Sequence, residues 1–384
     1  MKLNNRILID ERFNDSYIAG FVHGDGVFSV QLALSKTTKS KRIRLIPMFT
    51  LTQHIRNEEL IKNIMKRLGN VGSYSVDNKN IMRYRLSKII DLKEKLIPFL
   101  DENQVKKEKL INYIKWKFIV EKLLTIDNSF RWFSYDLEND YNKLIFDLII
   151  ISVNMNSHVK RSINVKQFSL KDQERILNNE LSPKILEELN NYILNYNYKK
   201  DLDIDFINGL FDSDGWITLR LSSCSKLKNS ISIWCEFGIV SDLLNKELLL
   251  DIKSLFNNVG VIKERTDEKS VSYLVAKREL ISDILPKIYN VSNYLDILEN
   301  KNNKGPIIKD NKIKVILKIL GLYEEYKKIN KIVSAGTGCE AEKDKRNLIL
   351  EKILILSYEI REINLKNKES LNDYLMRMRE KLKK

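Results

Sequence analysis

Apolar and polar residues alternate directly after residue 26 of this chain. Phe28, Val30, Leu32 and Leu34 fall on one side of an extended segment and polar residues on the other, which predicts a half-buried strand. Further elements follow up to residue 100: a strand over 42–53, a helix over 58–68, two short strands flanking the turn at 77–80, and a helix over 92–100. Preceded by a short helix, this run has the order helix, two strands, helix, two strands, helix.

The same pattern occurs a second time. YIAGFVHGDGVFSVQL from Tyr17 matches FINGLFDSDGWITLRL from Phe206, with Asp25 and Asp214 at equivalent places, 189 residues apart. Strands over 217–221, 231–233, 261–265 and 271–275 and a helix over 246–256 follow in the same order. A colinear match of this length indicates a tandem duplication. Short turns between the strands predict an α+β fold: a duplicated αββαββα unit with two antiparallel four-stranded sheets, each apolar on one face and polar on the other.

These patterns divide the chain into four segments. A first repeat with trailing helices covers residues 13–160, and a second repeat covers 203–320. Residues 161–202 are polar and rich in Lys, Asn and Glu, with one helical stretch near 183–196, so we predict a linker there. Residues 321–384 contain helical periodicity without strand signals, which predicts a helical C-terminal tail.

Charge supplies the first indication of a partner. The 384 residues include 66 Lys and Arg against 51 Asp and Glu, a formal net charge of +15. Such an excess attracts polyanions, nucleic acid above all, although a lysine-rich solvated surface would have the same composition. The three cysteines and three histidines lack the spacing of a zinc site or a disulfide framework. The most apolar run, residues 144–153, is too short to span a membrane, so no membrane partner is expected.

The repeated helix itself suggests a cation site. Small residues recur four positions apart in both copies: Gly20 and Gly24, then Gly209 and Ser213. Such a stripe allows two helices to pack closely, which would bring Asp25 and Asp214 together at one end of the interface. Two adjacent carboxylates repel unless a divalent cation neutralises them, and oxygen ligands suit Mg²⁺. The alternative is an ordinary glycine cap after a terminal Asp, but Asp at a helix C-terminus opposes the helix dipole in both copies.

On these residues the chain resembles the LAGLIDADG homing endonucleases of the single-chain, two-motif type. Residues 18–26 and 207–215 fit the family nonapeptide, except that His23 replaces the first acid in copy one. Other positions similar to the family are Leu45, Pro47 and Phe49, then Pro98, Phe99 and Leu100, then Lys109, Asn112, Tyr113 and Trp116. The resemblance covers residues 13–160 and 203–320.

The resemblance implies a catalytic site and a cofactor. Asp25 and Asp214 would bind Mg²⁺ or Mn²⁺ with the carbonyls of Gly24 and Ser213, and the metals would activate water at one phosphate of each DNA strand. Lys109 occupies the place of a basic residue that assists catalysis in the family, although a solvated helix lysine is an equally good interpretation. Its counterpart in copy two stays open among Lys309, Lys312 and Lys314.

The polar sheet faces would read bases in the DNA major groove. Alternation places these residues outward in copy one: Ser29, Gln31, Ser35, Arg42, Arg44, Thr50, Ser75, Asp77, Arg83 and Arg85. In copy two it places outward Thr218, Arg220, Ser222, Ser232, Glu236, Lys263, Arg265 and Ser272. Arg, Gln and Ser bind base edges and phosphates. Because the two faces differ, we expect an asymmetric target.

The sequence therefore predicts a monomeric, metal-dependent, site-specific double-strand DNA endonuclease, encoded within an intron. Two alternatives stay open: an RNA maturase that assists splicing of a group I intron and binds intron RNA, and a non-catalytic nucleic-acid-binding protein of ribosomal type. The abundance of Asn, Lys and Ile suggests an A/T-rich genome, so a mitochondrion or another organelle is the expected location, with the cytoplasm or nucleoid as the alternative.

Overall fold

The computed structural model describes ten segments of the chain. They are residues 12–34, 42–127, 132–133, 139–155, 168–199, 201–223, 231–276, 279–299, 305–363 and 369–383. Ser35, one of the predicted DNA contacts, lies outside them. The chain divides into two compact units: the first unit contains Ile18–Asp201, and the second contains Leu202–Lys384 together with the N-terminal segment that ends at Tyr17.

The first repeat has the predicted order of elements, and four further helices follow it among the described residues of the first unit. The elements are α1 (Asp15–Asp25), β1 (Gly26–Leu34), β2 (Ile43–His54), α2 (Glu58–Arg67), β3 (Ser73–Val76), β4 (Ile81–Leu86), α3 (Ile89–Asp91), α4 (Ile97–Glu102), α5 (Lys107–Leu124), β5 (Trp132–Phe133), α6 (Asp140–Asn154), α7 (Leu170–Leu177) and α8 (Pro183–Leu194). A π-helical turn, Leu92–Leu96, joins α3 to α4. The predicted helix over 92–100 is therefore longer than the pattern indicated.

The first sheet is antiparallel in the order β1-β2-β4-β3, and it carries a fifth strand that the sequence did not predict. Strand β4 covers β2 only from Phe49 onward, so the first residues of the longer β2 have an unpaired edge. There β5 pairs, with Ile43 opposite Phe133. The buried Phe133 ring stacks on Phe146 of α6 at 5.7 Å between centroids. A two-residue strand has no periodicity to detect, which is why the prediction of four strands was incomplete here.

Helix α5 covers the apolar face of this sheet. Phe28 of β1 packs against Tyr113 and Trp116 of α5, with ring centroids 5.3 and 5.4 Å apart. The indole N–H of Trp116 donates to the carbonyl of Ser29 at 3.1 Å. Aromatic pairs at these distances stabilise beyond the area that they bury, so α5 is held firmly against the first strand.

The segment predicted as a linker contains two helices, and α8 docks on α5. The Tyr192 hydroxyl donates to Glu121 at 2.7 Å, and the Tyr192 ring packs on Phe118. Lys122 and Glu188 form an ion pair. Most of residues 161–202 thus belongs to the first unit, where short helices of mixed polar and apolar residues gain their stability from packing.

The second repeat has the same order. Its elements and those that follow are α9 (Ile204–Asp214), β6 (Gly215–Ser223), β7 (Ile231–Asp242), α10 (Lys246–Leu255), β8 (Val261–Arg265), β9 (Ser270–Ala276), α11 (Leu285–Tyr289), α12 (Tyr294–Leu298), α13 (Asp310–Ser334), α14 (Glu340–Ile363) and α15 (Leu371–Lys383). The antiparallel sheet has the order β6-β7-β9-β8, which confirms the predicted four strands. A second π-helical turn, Leu280–Ile284, precedes α11, so both repeats carry this irregularity at the same place.

Residues 321–384 are packed within the second unit rather than separate from it. Helix α13 runs without a break across residue 321, and its Tyr323 hydroxyl donates to the carbonyl of Ile231 at 3.1 Å. Helix α14 packs on α13, and α15 packs on β6, the edge strand of the second sheet. Among the described helices, none combines the length and the apolar content that a bilayer crossing requires.

Candidate functional site

The two motif helices, α1 and α9, are buried along their middle. Each ends at the aspartate that the sequence indicated, Asp25 in α1 and Asp214 in α9. Each begins at a polar side chain that accepts a backbone N–H: Asn14 from Tyr17 at 2.9 Å, and Asp203 from Phe206 at 2.7 Å. Such capping satisfies donors that the first turn leaves unpaired. Asp25 and Asp214 are the last helical residues and are half-buried. Each carboxylate therefore lies where a helix passes directly into the first strand of a sheet.

The residue after each aspartate must be glycine because atoms of the preceding helical turn lie where a Cβ would be. A Cβ on Gly26 would lie 2.5 Å from the carbonyl oxygen of Val22, and one on Gly215 would lie 2.1 Å from a ring carbon of Phe211. Gly215 has an extended backbone, with φ −85°. Since the left-handed cap needs positive φ, these glycines are not ordinary caps. Their role is to let the strand begin directly on the last turn of the motif helix.

A chain of two side-chain amides that the sequence analysis missed leads to Asp25. The Gln53 amide at the end of β2 donates to the Asp25 carboxylate. The side-chain amide of Asn57, one turn later, donates to Oε1 of Gln53 at 2.8 Å. In copy two the matching places hold Ser241 and Asn245, and the Asn245 amide donates to the Ser241 hydroxyl at 3.1 Å. The recurrence of Asn at positions 57 and 245, in register with the repeat, was the signal available in the sequence.

His23, which stands where the family has an acid, is buried and 4% exposed. Its Nδ1 accepts the backbone N–H of Lys106 at 3.2 Å. Burial, and to a lesser extent the charges of Lys109 and Lys106, lower the pKa of His23 to about 3. The imidazole is thus neutral at physiological pH, and its role at this position is that of a hydrogen-bond acceptor.

Asp212 holds the same place in copy two and is 3% exposed. It accepts backbone N–H groups from Ile307, Ile308 and Lys309 and the hydroxyl of Tyr17, the last at 2.7 Å. Burial raises the pKa of Asp212, while Lys309, Tyr17 and the backbone donors oppose that rise. The carboxylate is therefore satisfied by neighbours from a segment about 95 residues further along the chain.

The lysines that resemblance indicated lie near the ends of the motif helices. Lys109 Nζ is 3.4 Å from the carbonyl oxygen of Gly24. Lys309 Nζ donates to the carbonyls of Phe211 and Asp212. Lys314 instead forms an ion pair with Asp310 at 3.0 Å within the first turn of α13.

Helix register adds a second way to match the copies. Lys106 immediately precedes α5, and Lys309 immediately precedes α13. Counting from these positions makes Lys312 the equivalent of Lys109. Two candidates for the copy-two counterpart of Lys109 follow. Lys309 makes the matching contacts, and Lys312 has the matching position along the helix.

In the first sheet the predicted base-reading residues share the outward face. Strand register places Thr50 opposite Arg85 and Ser75 opposite Arg83, and Arg83 also pairs with Asp77 at 3.1 Å. Ser29, Gln31, Arg42 and Arg44 alternate with buried residues in the same sense. The register adds residues that alternation in the sequence left out: Val27, Ile46, Met48, Thr52 and Ser73.

In the second sheet the register places Thr218 opposite Glu236, Arg220 opposite Trp234, and Lys263 opposite Ser272. The hydroxyls of Ser222 and Ser232 lie 2.6 Å apart, and Arg265 pairs with Glu268 at 3.1 Å.

Two features of this face differ from the sequence analysis. Ser272 lies on the outward side but is only 9% exposed; its role as a DNA contact stays a prediction. Trp234, 53% exposed on the same face, was missed because alternation was used to select polar residues.

The donors at each motif end suit a hard cation. The Asp25 carboxylate and the Gly24 carbonyl are oxygen ligands, as are Asp214 and the carbonyl of Ser213, and Mg²⁺ and Ca²⁺ prefer oxygen. In the described part of the chain there is no group of three or more His, Cys, Asp and Glu side chains that could hold a metal by itself. A cation here would therefore need backbone carbonyls, water or substrate oxygens to complete its shell.

Comparison with known proteins agrees with these features. A family model described as LAGLIDADG endonuclease matches residues 18–120 and 207–310, together more than half of the chain. A curated protein, probable intron-encoded DNA endonuclease 1 of Mycosarcoma maydis, is 30% identical over 91 residues, 24% of this chain. That match spans 31% of the relative's length.

Solved structures share the fold over most of the chain. The LAGLIDADG homing endonuclease I-SmaMI bound to cleaved DNA is 17% identical, with a TM-score of 0.62 over 88% of this chain and 95% of that one. I-LtrWI bound to target DNA is 17% identical, with a TM-score of 0.56 over 89% and 97%. At this identity the likeness concerns the fold. Taken with the two family matches and the paired motifs, it leads to one conclusion: the chain belongs to the LAGLIDADG endonuclease family.

Proposed function

We propose that this protein is a site-specific double-strand DNA endonuclease that works as a monomer with a divalent cation, Mg²⁺ or Mn²⁺. The observation that carries the proposal is the repeated junction: in each copy a buried helix ends at an aspartate and passes directly into a sheet with a polar outward face. A pair of such junctions supplies one carboxylate for each strand of a duplex. A single chain can therefore act on both strands.

The residues of each junction have separable tasks. Asp25 with the Gly24 carbonyl, and Asp214 with the Ser213 carbonyl, would hold the cation. A bound divalent cation lowers the pKa of water and stabilises charge on a phosphate. Gln53 holds the Asp25 carboxylate in one orientation, and Asn57 holds Gln53. The Lys109 ammonium, near the Gly24 carbonyl, would face the additional negative charge of a phosphate.

The sheet faces would select the target. Their outward side chains differ between the copies, with Arg44, Arg83 and Arg85 in the first sheet against Glu236 and Trp234 in the second. Direct reading of base edges by such side chains gives sequence preference, whereas the net charge of +15 supplies salt-dependent affinity for the backbone. The target is therefore asymmetric.

The relatives support this proposal. One is named a probable intron-encoded DNA endonuclease, and I-SmaMI has been solved bound to its uncleaved DNA target in the presence of calcium ions. An intron in an A/T-rich organellar genome, such as that of a mitochondrion, fits the abundance of Asn, Lys and Ile.

The decisive experiment measures cleavage of a library of intron-insertion junctions with and without Mg²⁺, followed by tests of Asp25→Asn and Asp214→Asn on the selected target. Each substitution preserves size but removes a charged ligand, so double-strand cleavage should fall by several powers of ten, roughly 10³-fold or more, while DNA affinity persists. The matched control is Asp15→Asn, at the opposite end of α1. If either motif variant makes double-strand breaks at the normal rate, or if Mg²⁺ has no effect, the proposal is wrong.

A further inference from the structure

The motif position two residues before each catalytic aspartate is occupied by His23 in one copy and Asp212 in the other. We propose that these two side chains are positioning residues: each fastens the start of a lysine-bearing helix to the end of its own motif helix, and each serves the cleavage of one DNA strand. This inference rests on the nuclease function proposed above. It assigns a purpose to a residue pair that neither binds the cation nor contacts DNA through the sheets.

The described contacts of Asp212 in copy two are more extensive than those of His23 in copy one. Both carboxylate oxygens of Asp212 are engaged, Oδ2 by the N–H groups of Ile307 and Ile308 and Oδ1 by that of Lys309 at 3.0 Å. The Tyr17 hydroxyl adds a fourth donor. Three consecutive N–H groups directed at one side chain hold the backbone before α13 in a single conformation. That segment delivers the Lys309 ammonium to the carbonyls of Phe211 and Asp212.

In copy one, His23 is the acceptor at the start of the following helix. Nδ1 of His23 accepts the N–H of Lys106, the residue that precedes α5 just as Lys309 precedes α13. Lys109 then lies in the first turn of α5, with Nζ 3.4 Å from the Gly24 carbonyl. A histidine and an aspartate have little in common except that both can accept a hydrogen bond when buried. The shared requirement of this position is therefore an acceptor facing the start of the following helix.

The two copies differ in how much depends on that acceptor. Removing Asp212 would leave three backbone N–H groups and one hydroxyl without this acceptor. At the start of α5, the described contact that His23 would lose is with a single backbone N–H. Buried donors that lose their acceptor are costly. We therefore expect the larger loss in the half-site served by copy two.

The test resolves the two strands. A duplex target carries a different dye at each 5′ end, and single-turnover cleavage of each strand is followed with Mg²⁺. His23→Leu replaces the imidazole with a side chain of similar bulk that has no acceptor. It should slow cleavage of one strand about tenfold and leave cleavage of the other near its normal rate. Asp212→Leu should slow the opposite strand by about a hundredfold. His23→Asp should recover most of the rate that His23→Leu loses, because it restores an acceptor.

Controls separate positioning from general stability. Asp212→Asn fills the same volume but cannot accept all four donors, so it carries the copy-two test if Asp212→Leu fails to fold. Asp147 is the matched control: it is buried in α6 and accepts the N–H and hydroxyl of Ser182 just before α8, so its contacts do not involve a motif helix. Asp147→Leu should lower the melting temperature and slow both strands alike.

The outcomes are distinct. Loss confined to opposite strands for the His23 and Asp212 variants, with DNA affinity preserved, supports the inference. If the wild-type protein cuts both strands but each variant slows both equally, as the control does, or if His23→Asp is as slow as His23→Leu, the inference is overturned. If the wild-type protein cuts neither strand, the proposed nuclease function fails, and the positioning role falls with it.

Discussion

Gly238 in β7 lies under the indole ring of Trp216, on the outward face of the second sheet. The two residues are directly opposite each other in the register of β6 and β7. A Cβ at position 238 would lie 2.4 Å from one ring carbon of Trp216 and 2.7 Å from two others. Carbon atoms in contact prefer about 3.5–4.0 Å, so Gly238→Ala must displace the ring by roughly 1 Å or more. The ring belongs to a residue only two positions after Asp214.

The expected cost follows from two opposing terms. Overpacking against a ring of this size destabilises by about 1–3 kcal/mol. Alanine is otherwise the better residue in a strand, by roughly 0.5–1 kcal/mol, because glycine loses more backbone entropy on folding. Gly238→Ala should therefore destabilise the wild-type protein but stabilise a Trp216→Ala variant slightly. The alanine gain is common to both backgrounds, so the coupling energy equals the overpacking cost, about 1–3 kcal/mol. In a unit of this size, 1 kcal/mol corresponds to about 2–4 °C in melting temperature.

The assay is a double-mutant cycle on the full chain. The wild-type protein, both single variants and the double variant are melted without DNA. Unfolding is followed by far-UV circular dichroism and not by tryptophan fluorescence, because two of these four proteins lack Trp216. Gly238→Ala should lower the melting temperature in the presence of Trp216 and not in its absence. An equal shift in both backgrounds would refute the reasoning, since the cost would then arise from the backbone of β7 and not from the ring.

Three further predictions concern the site. Gln53→Ala removes the amide that orients Asp25, so single-turnover cleavage should fall about tenfold with DNA affinity unchanged; an equal fall in affinity would contradict this role. Gly20→Leu should lower both the melting temperature and the cleavage rate if the motif helices pack closely there, by an overpacking cost of about 1–3 kcal/mol; an unchanged melting temperature would show that they do not. Arg44→Ala should cost about 1–3 kcal/mol of binding at one base position on a panel of single-base target variants. Lys381→Ala, which changes an exposed residue near the end of α15 and not a strand residue, should leave that profile unchanged. An Arg44→Ala profile with no change at any position would exclude base reading by this residue.

Much of the architecture was predictable from the sequence because it depends on local periodicity. Strands with a period of two and helices with a period near 3.6 follow from which residues must be buried, and the second copy repeated the same evidence independently. The order of elements, the outward side of Arg85 and Lys263, and the position of Asp25 at a helix end all belong to this class. The family was indicated differently, by the resemblance of the paired nonapeptides, each followed by the same element order, to a known family.

Other features depend on residues that meet across long distances in the chain, and no local pattern reports them. Strand β5 exists because β2 is longer than β4 and leaves an edge to be paired. Helix α8 is part of the first unit because Tyr192 reaches Glu121, which neither segment indicates alone.

The same is true of the site. In the sequence, His23 is a departure from the family nonapeptide and Asp212 fits it. The structure shows that both side chains accept backbone N–H groups from the segment before a later helix. Sequence by itself determined which carboxylates end the motif helices, since that is a matter of position along one helix. Only the tertiary structure decided what the neighbouring buried polar groups are for, because a hydrogen bond between residues about 95 positions apart forms only when the fold closes.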